Sequence, residues 1–157
     1  MNFSIFAAVA FGMLYLPVMG AQAQPTEGKM IQNWKITCAN GPCRAFFNIS
    51  QKGKVVVSWT LLHDPASGST TSMIKVPPGV ALQSGLRLYA DEKTFFDAPY
   101  QVCEPDGCTA IFAMDDAMIE ALGKQETARL AFIPYGGSQS SGYEVPIVGI
   151  KDAIDAL

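Results

Sequence analysis

From Trp34 onward the chain repeats one pattern: short runs in which apolar and polar side chains alternate, separated by clusters of Gly, Pro, Asp and Ser. Alternation with period two puts one set of side chains on each face of a strand. Turn residues at such close spacing mark an all-β sandwich. Trp34, Ile36 and Cys38 alternate with Lys35 and Thr37, and a second strand follows at residues 44–51. Lys52-Gly53 turns it into residues 54–62, the richest β segment. Residues 66–71 read as a small polar loop. Residues 72–76 read as a short strand stopped by Pro77-Pro78-Gly79. Residues 86–90 and 94–102 flank the turn Asp91-Glu92-Lys93, and residues 108–114 leave a later turn. Residues 127–134, a flexible Gly- and Ser-rich stretch from Gly136 to Gly142, and residues 143–149 complete the strands.

One stretch breaks the alternation. Asp115 and Asp116 stand before Met118, Ile119 and Leu122, and Gly123 follows. Acids at the start, Gly at the end and apolar residues on one helical face predict a two-turn crossover helix packed on a sheet. Residues 151–157 predict a last helical turn.

The N-terminus has a different character. From Phe3 to Met19 no side chain is charged, and Ala21-Gln22-Ala23 offers the small-x-small pattern that signal peptidases cut. Residues 1–23 therefore read as a signal peptide and 24–157 as the mature domain, although the first four residues supply no Lys or Arg. A transmembrane anchor is the alternative; the run is at the short limit for spanning, and Pro17 and Gly20 interrupt its end. The mature form has no later segment suited to spanning a membrane.

All four cysteines lie in the mature part, as Cys38-Ala39-Asn40-Gly41-Pro42-Cys43 and Cys103-Glu104-Pro105-Asp106-Gly107-Cys108. Gly and Pro inside each loop make tight turns that bring the flanking residues within reach of one another. Local bridges Cys38–Cys43 and Cys103–Cys108 are expected on that geometry. Ring size alone does not favour them, since a cross-pairing closes a longer loop and stabilises more. Zinc fits poorly in an exported chain with one histidine, and catalytic thiols call for a Cys-x-x-Cys at a helix start.

Composition narrows the chemistry further. The net charge is −3 with 11 Lys and Arg and the pI is near 5.0, so the basic footprint of a nucleic-acid binder is missing. His63, the single histidine, precedes Asp64, but neighbours on a strand point to opposite faces and do not orient one another. Asp115-Asp116 is explained by helix capping, Asp91-Glu92 by a hairpin turn, and Gly136-Gly137 lacks the Lys and helix of a phosphate loop. Asn48-Ile49-Ser50 matches a short glycosylation triplet. No catalytic residue, cofactor or metal ligand set is assigned. Phe46-Phe47 and Phe95-Phe96 each require one ring to leave the core, because adjacent strand positions cannot both face inward. The two Cys loops are rigid, polar-tipped and unlike in charge, so Arg44 beside the first and Glu104 and Asp106 within the second are the candidate partner contacts.

The motifs Trp34-Lys35-Ile36-Thr37-Cys38, Val76-Pro77-Pro78-Gly79-Val80 with Gly85, and above all Pro99-Tyr100-Gln101-Val102-Cys103-Glu104-Pro105-Asp106-Gly107-Cys108 carry a resemblance. With Gly149 and Ala153, the chain over about residues 31–156 resembles the invasion-associated locus B family of proteobacterial exported proteins. Pro78 departs from the leucine more common there. The resemblance implies a mainly β, immunoglobulin-like sandwich with one or two short helices and two local disulfides, located in the periplasm or on the outer surface. The family is named for host-cell invasion in one pathogenic genus, and it brings no catalytic residues to carry over. The expected function is a non-enzymatic interaction domain meeting a protein or envelope component. The alternative is a periplasmic small-molecule or envelope-component binder with a pocket between sheet and helix. Mass analysis of protein from the native host should find Gln24 as the first residue; a membrane-embedded product retaining Met1 would refute the signal-peptide assignment.

Overall fold

The computed structural model describes residues 27–39 and 41–157. The signal segment expected at 1–23 lies outside the described residues. Among the described residues eleven strands form two sheets. The larger has seven strands in the order β1 (Met30–Ile31), β2 (Trp34–Thr37), β3 (Arg44–Gln51), β4 (Lys54–Asp64), β5 (Ser69–Val76), β9 (Gly107–Met114), β8 (Tyr100–Glu104). The smaller has four, in the order β11 (Ser141–Pro146), β10 (Thr127–Phe132), β6 (Leu86–Tyr89), β7 (Phe95–Ala98). Every pairing is antiparallel. The inward faces of both sheets meet in one core, as the alternation requires: Trp34, Ile36, Trp59, Leu61 and Ile74 from one, Leu86, Leu88, Leu130 and Val145 from the other.

Three aromatic rings fill the centre of the larger sheet's inner face. Trp34 meets Phe47 edge-on at 4.7 Å between centroids and Trp59 at 5.8 Å. Such contacts add about 0.5–1.5 kcal/mol each beyond area burial. Burying an indole also buries its N–H. Trp59 Nε1–H donates to Ser72 Oγ at 2.8 Å, whereas Trp34 Nε1 is buried with no partner among the described residues.

This bond explains a departure from the sequence reading. The polar run Ser69-Thr70-Thr71 is strand rather than loop, because β5 begins at Ser69. Thr70 and Ser72 are buried and serve His63 Nδ1 (2.9 Å) and Trp59 respectively. They are inward positions whose polarity is consumed by partners. A second departure lies at 94–102. Pro99 divides this run, leaving β7 in the small sheet and β8 in the large one. A third lies at the Gly-rich stretch: Gly142 is in β11 opposite Ala131, and a Cβ there would stand 1.9 Å from the Leu130 carbonyl oxygen.

The first helix, α1 (Asp116–Gly123), carries the chain from β9 to β10, and the Asp115 carboxylate accepts from the Met118 N–H at 2.8 Å. Leu122 is fully buried. The second, α2 (Ile150–Asp155), packs beside α1. Both disulfides are local as expected, Cys38–Cys43 and Cys103–Cys108. Removing the acceptor in Ser72→Ala leaves the Trp59 N–H buried and unpaired. Denaturant unfolding of the oxidised protein should show a loss of about 1–3 kcal/mol, and an unchanged midpoint would show that the bond does not hold the sheet.

Candidate functional site

The register separates the residues that the sequence offered as partner contacts. Arg44 lies opposite Leu62, which lies opposite Thr71. Cys108 lies opposite Val76, five positions further along β5. At about 3.3 Å per residue, the two Cys loops are at opposite ends of the large sheet. Arg44 does not join Glu104 and Asp106, so the two clamps do not form one surface.

The second clamp is not simply acidic either. Lys75 on β5 reaches both carboxylates, at 3.0 Å from Glu104 and 2.8 Å from Asp106. Its ammonium holds the Asp106 carboxyl below the usual carboxylate range, and the two acids raise the Lys75 pKa. One cation shared by two anions leaves the loop with a single net negative charge. The sequence concealed this contact, because Lys75 is distant along the chain and is brought near only by the β5–β9 register. Gly107 is needed there for closeness rather than for a left-handed backbone: a Cβ would meet the Val76 carbonyl oxygen at 2.5 Å.

The other polar candidates have structural partners. Asp64 turns away from His63 and accepts from the Ala66 N–H (3.0 Å) and the Ser67 hydroxyl (2.7 Å), which lower its pKa. Asp91 accepts from the N–H groups of Lys93 and Thr94 across its hairpin. Asn48 is exposed on β3. Both Phe pairs split as expected: Phe47 is buried beside half-buried Phe46, and Phe95 is 46% exposed beside half-buried Phe96. Phe95 lies under the Arg87 guanidinium at 4.2 Å, and Arg87 makes a forked ion pair with Asp97 at 2.6 and 2.9 Å. Among the described residues no group of three or more His, Cys, Asp and Glu is placed to hold a metal ion, and no helix is long and apolar enough to cross a membrane.

Beside the second clamp runs an open groove of about 590 Å³. Its walls are two loops. The segment after β5 contains a 3₁₀ turn, Leu82–Ser84; the segment after β10 contains Tyr135. They are zipped together: the Ala81 N–H donates to the Ile133 carbonyl and the Tyr135 N–H to the Gly79 carbonyl, both at 2.7 Å. The Cys103–Cys108 bridge closes the third side. Leu82 is 57% exposed and Tyr135 84%, so the groove is rimmed by large apolar surface that the fold leaves uncovered. The sequence reading passed over both residues. Tyr135 between Pro134 and Gly136, outside any alternating run, was the available signal: a ring in a turn has no core face to occupy. Neither helix lines this groove.

The profile of the invasion associated locus B (IalB) protein family matches residues 34–157. Two curated relatives, Invasion protein B homologs of Brucella abortus strain 2308 and of Brucella abortus biovar 1 strain 9-941, are each 22% identical over 132 residues. Those residues span 80% of this chain and 76% of theirs. The crystal structure of invasion associated protein B from Bartonella henselae superposes with a TM-score of 0.73 at 23% identity, covering 81% of this chain and 92% of that one. The two-sheet architecture is therefore shared with a solved structure, and the chain belongs to the invasion associated locus B family.

Proposed function

We propose that this protein is an exported, non-enzymatic interaction domain of the cell envelope or outer surface, docking a partner in the groove beside the Cys103–Cys108 clamp. The carrying observation is the pair Leu82 and Tyr135, large, exposed and held on rigid loops at the rim of one groove. Exposed aromatic anchors in preorganised surroundings are where binding energy concentrates. Two disulfides suit an oxidising compartment, which supports export and the removal of residues 1–23. The relatives' names associate them with invasion; a host-cell or envelope partner accords with that name.

The acidic loop needs a gentler probe than charge reversal. Glu104→Lys with Asp106→Lys would crowd two further ammonium groups around that of Lys75. Neutral Glu104→Gln with Asp106→Asn removes the charge alone. Capture from envelope extract with the wild-type protein should retain a partner that the Tyr135→Ala, Leu82→Ser variant loses, at an unchanged melting temperature. Identical captured sets would refute the groove as the docking surface. His63→Ala should leave capture nearly unaltered while lowering stability by about 1 kcal/mol, because the buried Thr70 hydroxyl loses its partner. Loss of function in a folded His63→Ala protein would bring back a chemical role.

A further inference from the structure

We propose that β8 is a docking edge: an extended segment of a partner protein, apolar and cationic at alternate positions, adds to it as an extra strand. This rests on the groove reading above and names what the groove receives. β8 is the last strand of the large sheet, and its residues from Gln101 to Glu104 are all exposed. A strand at an edge offers unpaired N–H and C=O groups to any extended chain. The other end of that sheet is blunted, since β1 has two residues. At one edge of the small sheet, β11 holds Gly142 and ends in Pro146. β8 has no Pro or Gly within it, and the bridge to Cys108 fixes it to β9.

The register also fixes what the added strand must carry. Cys103 opposes Cys108, which opposes Val76, a buried inward position. Cys103 therefore faces the groove with Leu82 and Tyr135. Val102 opposes Thr109, which opposes Lys75, so Val102 and Glu104 face the outer side, where Glu104 and Asp106 share their one ammonium. Side chains of an added strand alternate between these two faces. Those on the Cys103 side enter the groove between Leu82 and Tyr135, which is mostly apolar and has Glu104 at its border. Those on the Glu104 side meet uncompensated negative charge, and a Lys or Arg there completes it. Pro99 and Pro105 bracket the edge and confine the pairing to a short stretch.

The test uses the disulfide-bonded protein from its native host and end-capped synthetic peptides. One alternates valine and lysine, one has the same composition with the lysines grouped together, and one alternates valine and glutamate. The alternating valine–lysine peptide should bind saturably and slow amide hydrogen exchange at Cys103, whose N–H faces away from β9 because Cys103 and Cys108 form a closely spaced, non-hydrogen-bonded pair. The grouped and acidic peptides should bind about tenfold more weakly. Tyr135→Ala with Leu82→Ser should weaken the alternating peptide about tenfold, and Glu104→Gln with Asp106→Asn should flatten its salt dependence, because exposed charges are screened. Equal binding of alternating and grouped peptides overturns strand addition. So does binding without protection in β8, and so does the absence of saturable binding up to about 1 mM. If the peptides fail while Tyr135→Ala, Leu82→Ser still releases the captured envelope partner, strand addition falls and the groove reading stands.

Discussion

The buried N–H of Trp59 constrains more of this molecule than its single hydrogen bond suggests. An indole in the middle of a sheet must find an acceptor on a neighbouring strand, and Ser72 lies on the diagonal from it across β4 and β5. A slip of one residue would turn Ser72 outward and put Thr71 or Met73 on the inner face. With β4 and β5 in place, β5 sets β9, and Lys75 comes to lie opposite Thr109. The same alignment brings Val76 opposite Cys108. The ion pairs on Glu104 and Asp106 and the position of the clamp are thus consequences of where one aromatic ring found its acceptor.

The alternating runs and their turns were legible because their signals are local. Trp34-x-Ile36 announces an inward face, Asp115 caps a helix three residues before the N–H it accepts, and Gly and Pro inside six-residue windows close both disulfide loops. The misread segments depend on distant partners. Ser69 to Thr71 looks like a loop because polarity suggests solvent, yet Thr70 and Ser72 are buried against His63 and Trp59. Residues 94–102 form an unbroken extended run in sequence, and only the packing of two layers shows that Pro99 is a corner. The candidate site was half legible. Glu104 and Asp106 were visible as acids in a rigid turn, whereas Lys75 beside them, and Leu82 and Tyr135 across the groove, come together only in the fold.

Binding surface and scaffold are built from different kinds of residue here. The scaffold relies on β-branched and aromatic side chains in strands, with polar groups paired locally. The groove relies on what the strands leave over: a turn of 3₁₀ helix, a tyrosine in a loop and a disulfide at a sheet edge. Such loop positions tolerate change without disturbing the core. At 22–23% identity to the relatives in Brucella and Bartonella, a shared architecture is compatible with groove chemistry that differs from member to member.

The corner at Pro99 has a mechanical consequence. Two sheets held only by side-chain packing can slide past one another along their strands. Here one extended segment runs from Phe95 in the small sheet to Glu104 in the large one with a single residue between its two strands, the kind of corner a strand makes when it switches sheets. Sliding would have to stretch that segment, whereas separation of the layers at the opposite side would not. At the opposite side α2, which follows β11 of the small sheet, packs on β2 and β4 of the large one through buried Ile150, Ala153 and Ile154. The layers are thus tied covalently at one side and by packing at the other, and anything held against β8 sits beside the covalent tie.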